Sequence, residues 1–435
     1  STDSAGPVFY TAPVVGNTTW QYAGAPGFTA TKSRYGINMA VTKTNIPHIA
    51  YTDSLGKAKV MKYSAAMNIW LAVGGDISDG KCSHINIKFD NSNMPYVAYI
   101  DSANGNRITV KKLSGSNWVT VGTPGFAKLV RFSDQNTVQF ALDGANLPYV
   151  LISDSIIGIY SLALMRFNGT SWMYHGAEIS NDFNDYYSLD IDKATNTAYV
   201  SYGSQNSYQV TVKKIIASGA SSYVGAMEFT NSPVGAFYAT VRVDNNGNPF
   251  LIAQDDDNHE RLSLYRFDGA NWSKISNRFS KGHSYAPSMV FDKFNRPVVA
   301  FTDASFNGKG SVMQQSVSGV WSYTGDRGFE SGTNLANAIC VDTTNTPFIA
   351  FIDNSNFNRI SVMRLRSTLN TVIRSFTPTA SVAGGTVTIK GIGFTGTRGV
   401  KFNTIAATSY TVVNDSTITA VVGTGATGAV NITTG

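Results

Sequence analysis

The sequence predicts an all-β chain: a seven-bladed β-propeller closed by an N-terminal strand (residues 1–367), followed by a small β-sandwich (residues 374–435). Three features carry this expectation. All six Trp residues, at 20, 70, 118, 172, 272 and 321, stand in a similar phrase, typified by Asn117-Trp118-Val-Thr-Val-Gly122, and lie 50, 48, 54, 100 and 49 residues apart. Tyr223, in Ser-Ser-Tyr-Val-Gly, divides the long interval into 51 and 49, so the chain repeats with a period near fifty, which points to a propeller or a solenoid. Between these aromatics run alternating apolar stretches of strand length, bounded by turn residues. Finally, the first Trp phrase precedes any complete unit, whereas the last unit lacks one.

Taken in order, Ser1 to Pro7 resemble neither a signal peptide nor a transit peptide and read as the start of a mature or trimmed chain. Thr18-Thr-Trp20-Gln-Tyr-Ala-Gly24 follows, a strand with no partners of its own. Each unit then reads as four strands, expected in the second unit at 84–90, 95–101, 107–113 and 117–122. The first strand ends on an Asp (Asp90, Asp143, Asp192, Asp244, Asp292, Asp342), with Thr42 in the first unit. A turn Asp-x-x-x-x-Pro leads to the second strand, which ends on another Asp (Asp53, Asp101, Asp154, Asp255, Asp303, Asp353). In the fourth unit Thr197 replaces the Pro and Gly203 replaces the second Asp. The Asp residues that end the second strands are expected to be structural, accepting backbone N–H bonds in the turns that follow. A basic residue recurs in the third strand, from Lys62 to Arg364, with Gln315 as the exception, and is expected to decorate an exposed face or pair with those Asp residues.

The seventh unit stops at Ile360-Ser-Val-Met-Arg-Leu365, before its Trp strand. Pairing of the front strand with residues 359–365 would close the ring and bury two open edges. An open solenoid would leave that strand without a partner. In this arrangement the Trp opens each outer strand and covers the edge of the adjacent blade, a packing role.

After the connector 366–373 the composition changes. Residues 374–435 contain Ser-Phe-Thr-Pro378, Ala383-Gly-Gly-Thr-Val-Thr-Ile-Lys-Gly391, Ile-Gly-Phe394, Val400-Lys-Phe402, Ile418-Thr-Ala-Val-Val422 and Gly428-Ala-Val-Asn-Ile432. This segment resembles the IPT/TIG family of Ig-like (immunoglobulin-like) β-sandwiches. It departs at Gly423, where the family has Pro, and it ends at Gly435 before a last strand is complete, so a truncated sandwich or one lacking an edge is expected. The resemblance implies a spacer or interaction module of an exported protein. The propeller repeats also resemble those of secreted or surface-attached bacterial propellers of the Bacteroidetes kind, which implies an extracellular or outer-membrane-surface location.

Charged residues make up 14% of the chain, against about 25% in a typical soluble protein, and Gly, Ser, Thr and Asn take their place, as short strands with many tight turns require. The formal charge of +6 comes from scattered Lys and Arg with no long run, so no nucleic-acid footprint is expected. No apolar stretch is long enough to form a transmembrane helix. Cys82 and Cys340 have no metal or redox spacing and read as free thiols in a monomer. Glu occurs only at 178, 228, 260 and 330, which counts against a paired-Glu glycosidase site.

The loops that join outer to inner strands are long and variable, and together with the second-to-third loops they define the face where a ligand is expected. Just before the inner strands come Tyr35, His84, Tyr186 with Tyr187, Tyr238 and Tyr285, rings that could stack on sugar faces or simply pack between blades. Asp255, Asp256 and Asp257 form a weak calcium candidate without EF-hand spacing; no other cofactor is expected. His283, Tyr285 and Arg327, or His259, could serve as base, acid and charge neutraliser in β-elimination, although no spacing enforces that assembly. The expected function is non-catalytic glycan binding at a cell surface, with the C-terminal domain as spacer. A polysaccharide lyase or glycoside hydrolase is the alternative, and a protein-binding adhesion scaffold the third reading.

Overall fold

The structure is a computed structural model that describes residues 17–33, 36–128, 138–154, 161–182, 186–230, 238–255, 260–330, 334–368, 372–394, 397–424, 426 and 428–434. It divides into two compact units, one of Trp20–Leu365 and one that holds the chain from Arg366 onward.

The first unit is all-β and repeats one antiparallel sheet. The innermost strands are Ile37–Val41, Cys82–Phe89, Phe140–Leu142, Tyr187–Asp192, Thr240–Val243, Ser284–Phe291 and Asn334–Val341. Each pairs with a second strand that opens at the expected position: Pro47–Thr52, Pro95–Asp101, Pro148–Asp154, Thr197–Gly203, Pro249–Asp255, Pro297–Asp303 and Pro347–Asp353. Third and outer strands complete the sheets, and the last one takes its outer strand from the front of the chain, since Asn17–Tyr22 lies beside Arg359–Thr368. The inner strand of the second sheet starts two residues earlier than expected. A bulge between Ser83 and Asn86, with His84 at φ 54, adds those residues to the strand.

Second strands such as Pro95–Asp101 are buried at every position. Both their faces meet neighbouring sheets, which explains why they read as continuous apolar runs. The core accordingly consists of clusters lying between successive sheets. Ile49 and Met39 of the first sheet pack with Ala350 and Phe348 of the last, so the series of interfaces returns to its start. The inner strands follow the same closed order around a central channel.

Two repeated devices lock these joints. The first is the Trp phrase. The indole N–H groups of Trp20, Trp70, Trp118, Trp172 and Trp272 donate to the backbone oxygens of Thr324, Ala23, Val73, Val121 and Val224 in the neighbouring sheet, at 2.6–3.1 Å. The Gly that ends the neighbour's phrase lets the indole approach: a Cβ on Gly122 would lie 2.9 Å from the Trp172 ring. A Phe four residues beyond that Gly stacks on the indole, as Phe126 does on Trp172 at 3.9 Å.

The second device is in the turns. Asp90, Asp143, Asp244, Asp292 and Asp342 each accept two N–H bonds from their own turn. The N–H groups of Lys43, Asn91, Gly144, Asn245, Lys293 and Thr343 then donate to the side-chain oxygens of Asn93, Asn146, Asn196, Asn295, Asn345 and Asn45 in the next turn, at 2.7–3.0 Å. Those six Asn residues hold left-handed conformations with φ of 54–66°. The last bond, from Thr343 to Asn45, joins the two ends of the repeat. Of the aligned basic residues, Arg166 meets the first Asp of its sheet, Asp143, at 3.5 Å rather than the second.

The second unit packs a four-stranded sheet, in the order Val372–Thr377, Thr386–Ile392, Thr417–Val421 and Ser409–Asn414, with a three-stranded one, Ile405–Ala406, Thr397–Phe402 and Val430–Thr434. Val387, Ile389, Phe394, Val400, Phe402 and Ile418 fill its core. Val430–Thr434 pairs with Thr397–Phe402, with Ile432 opposite Val400.

Candidate functional site

The inner strands begin at the end of the repeat unit opposite the Asn-linked turns, and this entrance carries the expected aromatics. Gly36, His84, Tyr238 and Ala286 stand six residues before Thr42, Asp90, Asp244 and Asp292, and all are left-handed, with φ of 69, 54, 56 and 45°. Tyr285 falls one residue earlier, so the aromatics do not form one ring of equivalent positions. Tyr186 and Tyr238, from adjacent sheets, meet edge to face at 5.2 Å. Tyr187 is buried, and Tyr35 lies outside the described residues. His84 contacts the Ser83 hydroxyl at 2.9 Å, and burial lowers its pKa.

His283 packs on the Tyr285 ring at 3.9 Å, and its Nε2 faces the Glu260 carboxylate. Arg327 is not the free charge neutraliser expected beside them. Its Nε and Nη2 grip the buried Asp303 carboxylate at 2.8 and 3.0 Å, and it also reaches the Ser305 hydroxyl. Burial alone would raise the Asp303 pKa, but the Arg327 and Ser305 bonds hold it below the usual carboxylate range. His259, Asp256, Asp257 and the Asp255 side chain lie outside the described residues. Among the described residues no group of three or more His, Cys, Asp or Glu could hold a metal. Cys82 and Cys340 are buried and unpaired, and burial raises the Cys82 thiol to about 12.

A cavity of about 300 Å³ opens in the fourth unit, at the same end as the aromatic entrance but outside the channel. Two departures of this unit from the repeat shape it. In the second, sixth and seventh units the second Asp is buried and accepts the hydroxyl eight residues on: Asp101 from Thr109, Asp303 from Ser311, Asp353 from Ser361. Gly203 supplies no carboxylate there, and the equivalent hydroxyl, Thr211, lines the cavity instead. Tyr223 stands where the Trp would cover a neighbouring sheet, and it is 44% exposed, against 7% for Trp118. With no Pro at 197, the turn below also takes its own form, with Asn196 as its left-handed residue.

The polar groups at the cavity come from the loop that precedes the unit and from the unit's own third strand. Asp182 accepts from the Ser204 hydroxyl at 2.8 Å and the Gln205 N–H at 3.0 Å. Lys213 donates to the Ile179 carbonyl at 2.6 Å and lies 4.8 Å over the Tyr223 ring. Burial lowers its pKa and the nearby Glu178 opposes that shift. Tyr202 bonds to Ser180 and Thr211, and burial pushes its hydroxyl up to about 12, so it stays a neutral donor and acceptor.

Glu228 completes the lining from a strained backbone. Its N–H donates to Thr211 at 3.0 Å with φ 50, the arrangement that Gly27, Gly125 and Gly328 adopt elsewhere with φ of 58, 63 and 65°, and that Arg278 shares in the fifth unit, at Ser263, with φ 50. A non-Gly residue held in this region costs about 1–3 kcal/mol, and such strain concentrates at functional sites. Three carboxylates, one ammonium, several hydroxyls and an open Tyr face therefore surround one cavity. This set can accept hydrogen bonds from a polyhydroxyl ligand while one of its apolar faces rests on the ring. Sequence reasoning missed the site, although its signal was the clustering of all three exceptions in one unit.

No family model matches the sequence, and no curated protein matches it. Solved structures do. BP39L lectin from Burkholderia pseudomallei aligns with 78% of this chain and 97% of its own, at TM-score 0.56 and 12% identity. The fold is a β-propeller. A lectin from Aleuria aurantia in complex with Fucα1-6GlcNAc covers 71% of this propeller chain at TM-score 0.45 and 14% identity, aligned over 100% of its own length. SapL1 lectin in complex with α-methyl fucoside covers 68% at 0.45 and 14%, with 97% of its own chain aligned. No helix of the described residues is long and apolar enough to cross a membrane.

Proposed function

We propose that the protein is a glycan-binding protein that acts without catalysis, outside the cell or at its surface. In this reading the repeated sheets are the seven blades of a propeller closed by its N-terminal strand, and residues 374–435 are an Ig-like spacer. The observation that carries it is the cavity of the fourth unit: an exposed Tyr223 face beside the Glu178, Asp182 and Glu228 carboxylates, in a volume of about 300 Å³ that suits one sugar residue. Carboxylates accept pairs of sugar hydroxyls in charge-assisted bonds, and an aromatic ring supports the sugar's C–H face. With three carboxylates against Lys213, the cavity favours neutral sugars over acidic ones. The occurrence of this fold in a lectin supports the reading.

The strained Tyr238, in contact with Tyr186, favours a second contact at the channel entrance for a longer chain. The test is a glycan array followed by titration calorimetry with wild type, Tyr223→Ala and Tyr238→Ala. Loss of binding in Tyr223→Ala with retention in Tyr238→Ala places the primary site in the cavity. The reverse pattern moves it to the entrance, and binding unchanged in both, or no glycan bound by the wild type, removes the proposal.

A further inference from the structure

The other end of the channel holds a separate charged site. Two residues before each turn, the inner strands present Ala40, Lys88, Ala141, Asp190, Arg242, Val290 and Cys340. All the formal charge at this level thus comes from Lys88, Asp190 and Arg242, and Lys193 adds a third cation at the channel mouth. A cavity of about 270 Å³ lies among Ala40, Lys88, Ala141, Asp190 and Lys193, and the two Ala side chains leave its space open.

The one carboxylate does not neutralise these cations. Asp190 accepts the Val243 N–H at 2.8 Å, which orients it along the strand. The Arg242 guanidinium donates to the Val241 carbonyl at 2.8 Å. Neither the Lys88 nor the Lys193 ammonium makes a hydrogen bond or ion pair with any described residue. Burial, and then the charges of Arg242 and Lys193 against the pull of Asp190, bring the Lys88 pKa down to about 8. Lys193 is also lowered by burial, with Asp190, Asp143 and Asp90 acting against Lys43. Two ammonium groups that share one cavity with a single carboxylate, beside the Arg242 guanidinium, carry excess positive charge and form a ready-made receptor for an anion, whose binding relieves their mutual repulsion.

We propose that the turn end of the channel binds a small oxyanion, such as phosphate, sulfate or a carboxylate, between Lys88, Lys193 and Arg242. The site is independent of the glycan cavity, and its test does not depend on that reading. Calorimetric titration and thermal unfolding of the full chain with sodium sulfate, sodium phosphate and sodium glucuronate would be compared with sodium chloride at equal ionic strength. Saturable binding of an oxyanion is expected, at least tenfold weaker in Lys88→Met, and tenfold weaker or more at pH 9 than at pH 7 as Lys88 loses its proton. Asp190→Asn, which keeps an oxygen for the Val243 N–H while removing the repelling charge, should bind severalfold tighter, a gain that a damaged fold cannot imitate.

The three probes separate a free inorganic anion from the carboxylate of a sugar acid. Equal effects of all salts, or affinity unchanged in both variants, overturn the proposal. Retained glycan binding in Lys88→Met would show that the two sites fail separately.

Discussion

Glu228 offers a test in which stability and binding move in opposite directions. Its backbone is fixed by the Thr211 bond in a conformation that three other units assign to Gly. The left-handed conformation costs an L-residue about 1–2 kcal/mol, and Gly gives back about 0.4–1 kcal/mol through the greater entropy of its unfolded chain. Glu228→Gly should therefore be more stable than Glu228→Ala by about 0.5–1 kcal/mol, since only the former relieves the strain. In a unit this large that corresponds to roughly 1–2 °C in Tm, measurable by side-by-side calorimetry. Both variants lose the carboxylate. A charge-assisted hydrogen bond contributes about 1.5–3 kcal/mol, so glycan affinity should fall roughly 10- to 150-fold in each. Glu228→Gln, which keeps the backbone and the shape, should lie between wild type and Ala in affinity. If Ala proves as stable as Gly, the strain argument fails; if both retain wild-type affinity, Glu228 is not part of a glycan site.

Other consequences follow from the packing. Trp118→Ala removes a buried indole and leaves the Val73 carbonyl without its donor, and should cost about 3–5 kcal/mol in denaturant unfolding, whereas Tyr223→Ala, starting from a half-exposed ring, should cost less than half of that. Arg327→Ala leaves the buried Asp303 carboxylate without its main partner and should cost roughly 3 kcal/mol at neutral pH. Because the folded pKa of Asp303 is depressed, its contribution is complete above the unfolded carboxylate range and disappears as pH falls through the folded value. Wild type should thus lose stability on acidification more steeply than Arg327→Ala, as read by unfolding midpoints between pH 7 and 2. Asn345→Ala breaks one inter-turn bond, to Lys293, and puts Ala in a left-handed turn, and should lower stability by about 2 kcal/mol without affecting either proposed site.

The repeat was legible because its signals are local and redundant. A Trp recurring near every fifty residues, an Asp five residues before a Pro and a displaced first phrase each fix one strand, and the pairing of Asn17–Tyr22 with Arg359–Thr368 follows from counting them. What could not be read were features set by backbone conformation or by side chains meeting across joints. The offset between Tyr238 and Tyr285 depends on where a bulge falls in each inner strand, and sequence position alone does not reveal it. The Asn residues that link successive turns were hidden among ordinary turn residues, since Asn is common there for local reasons as well. Arg327 looked available for chemistry because its partner, Asp303, lies twenty-four residues away on another strand.

The cavity of the fourth unit shows why exceptions in a repeat are more informative about function than its consensus. At an ordinary joint, an indole, a stacked Phe and a buried Asp fill the space between sheets, and each contributes to holding the circle closed. A unit that gives up the Trp and the Asp together loses packing at its joint. The other joints, with their own Trp bonds and turn links, still close the circle, so one weak joint is tolerable where it would unravel an open array. Random drift would scatter such losses among the units. Here Thr197, Gly203 and Tyr223 fall in one unit, and Glu228 adds backbone strain at the same cavity rather than relieving it. A lost Trp and a lost carboxylate that open one cavity, with Glu228 charging it at a cost in backbone strain, are what selection for a ligand would leave behind.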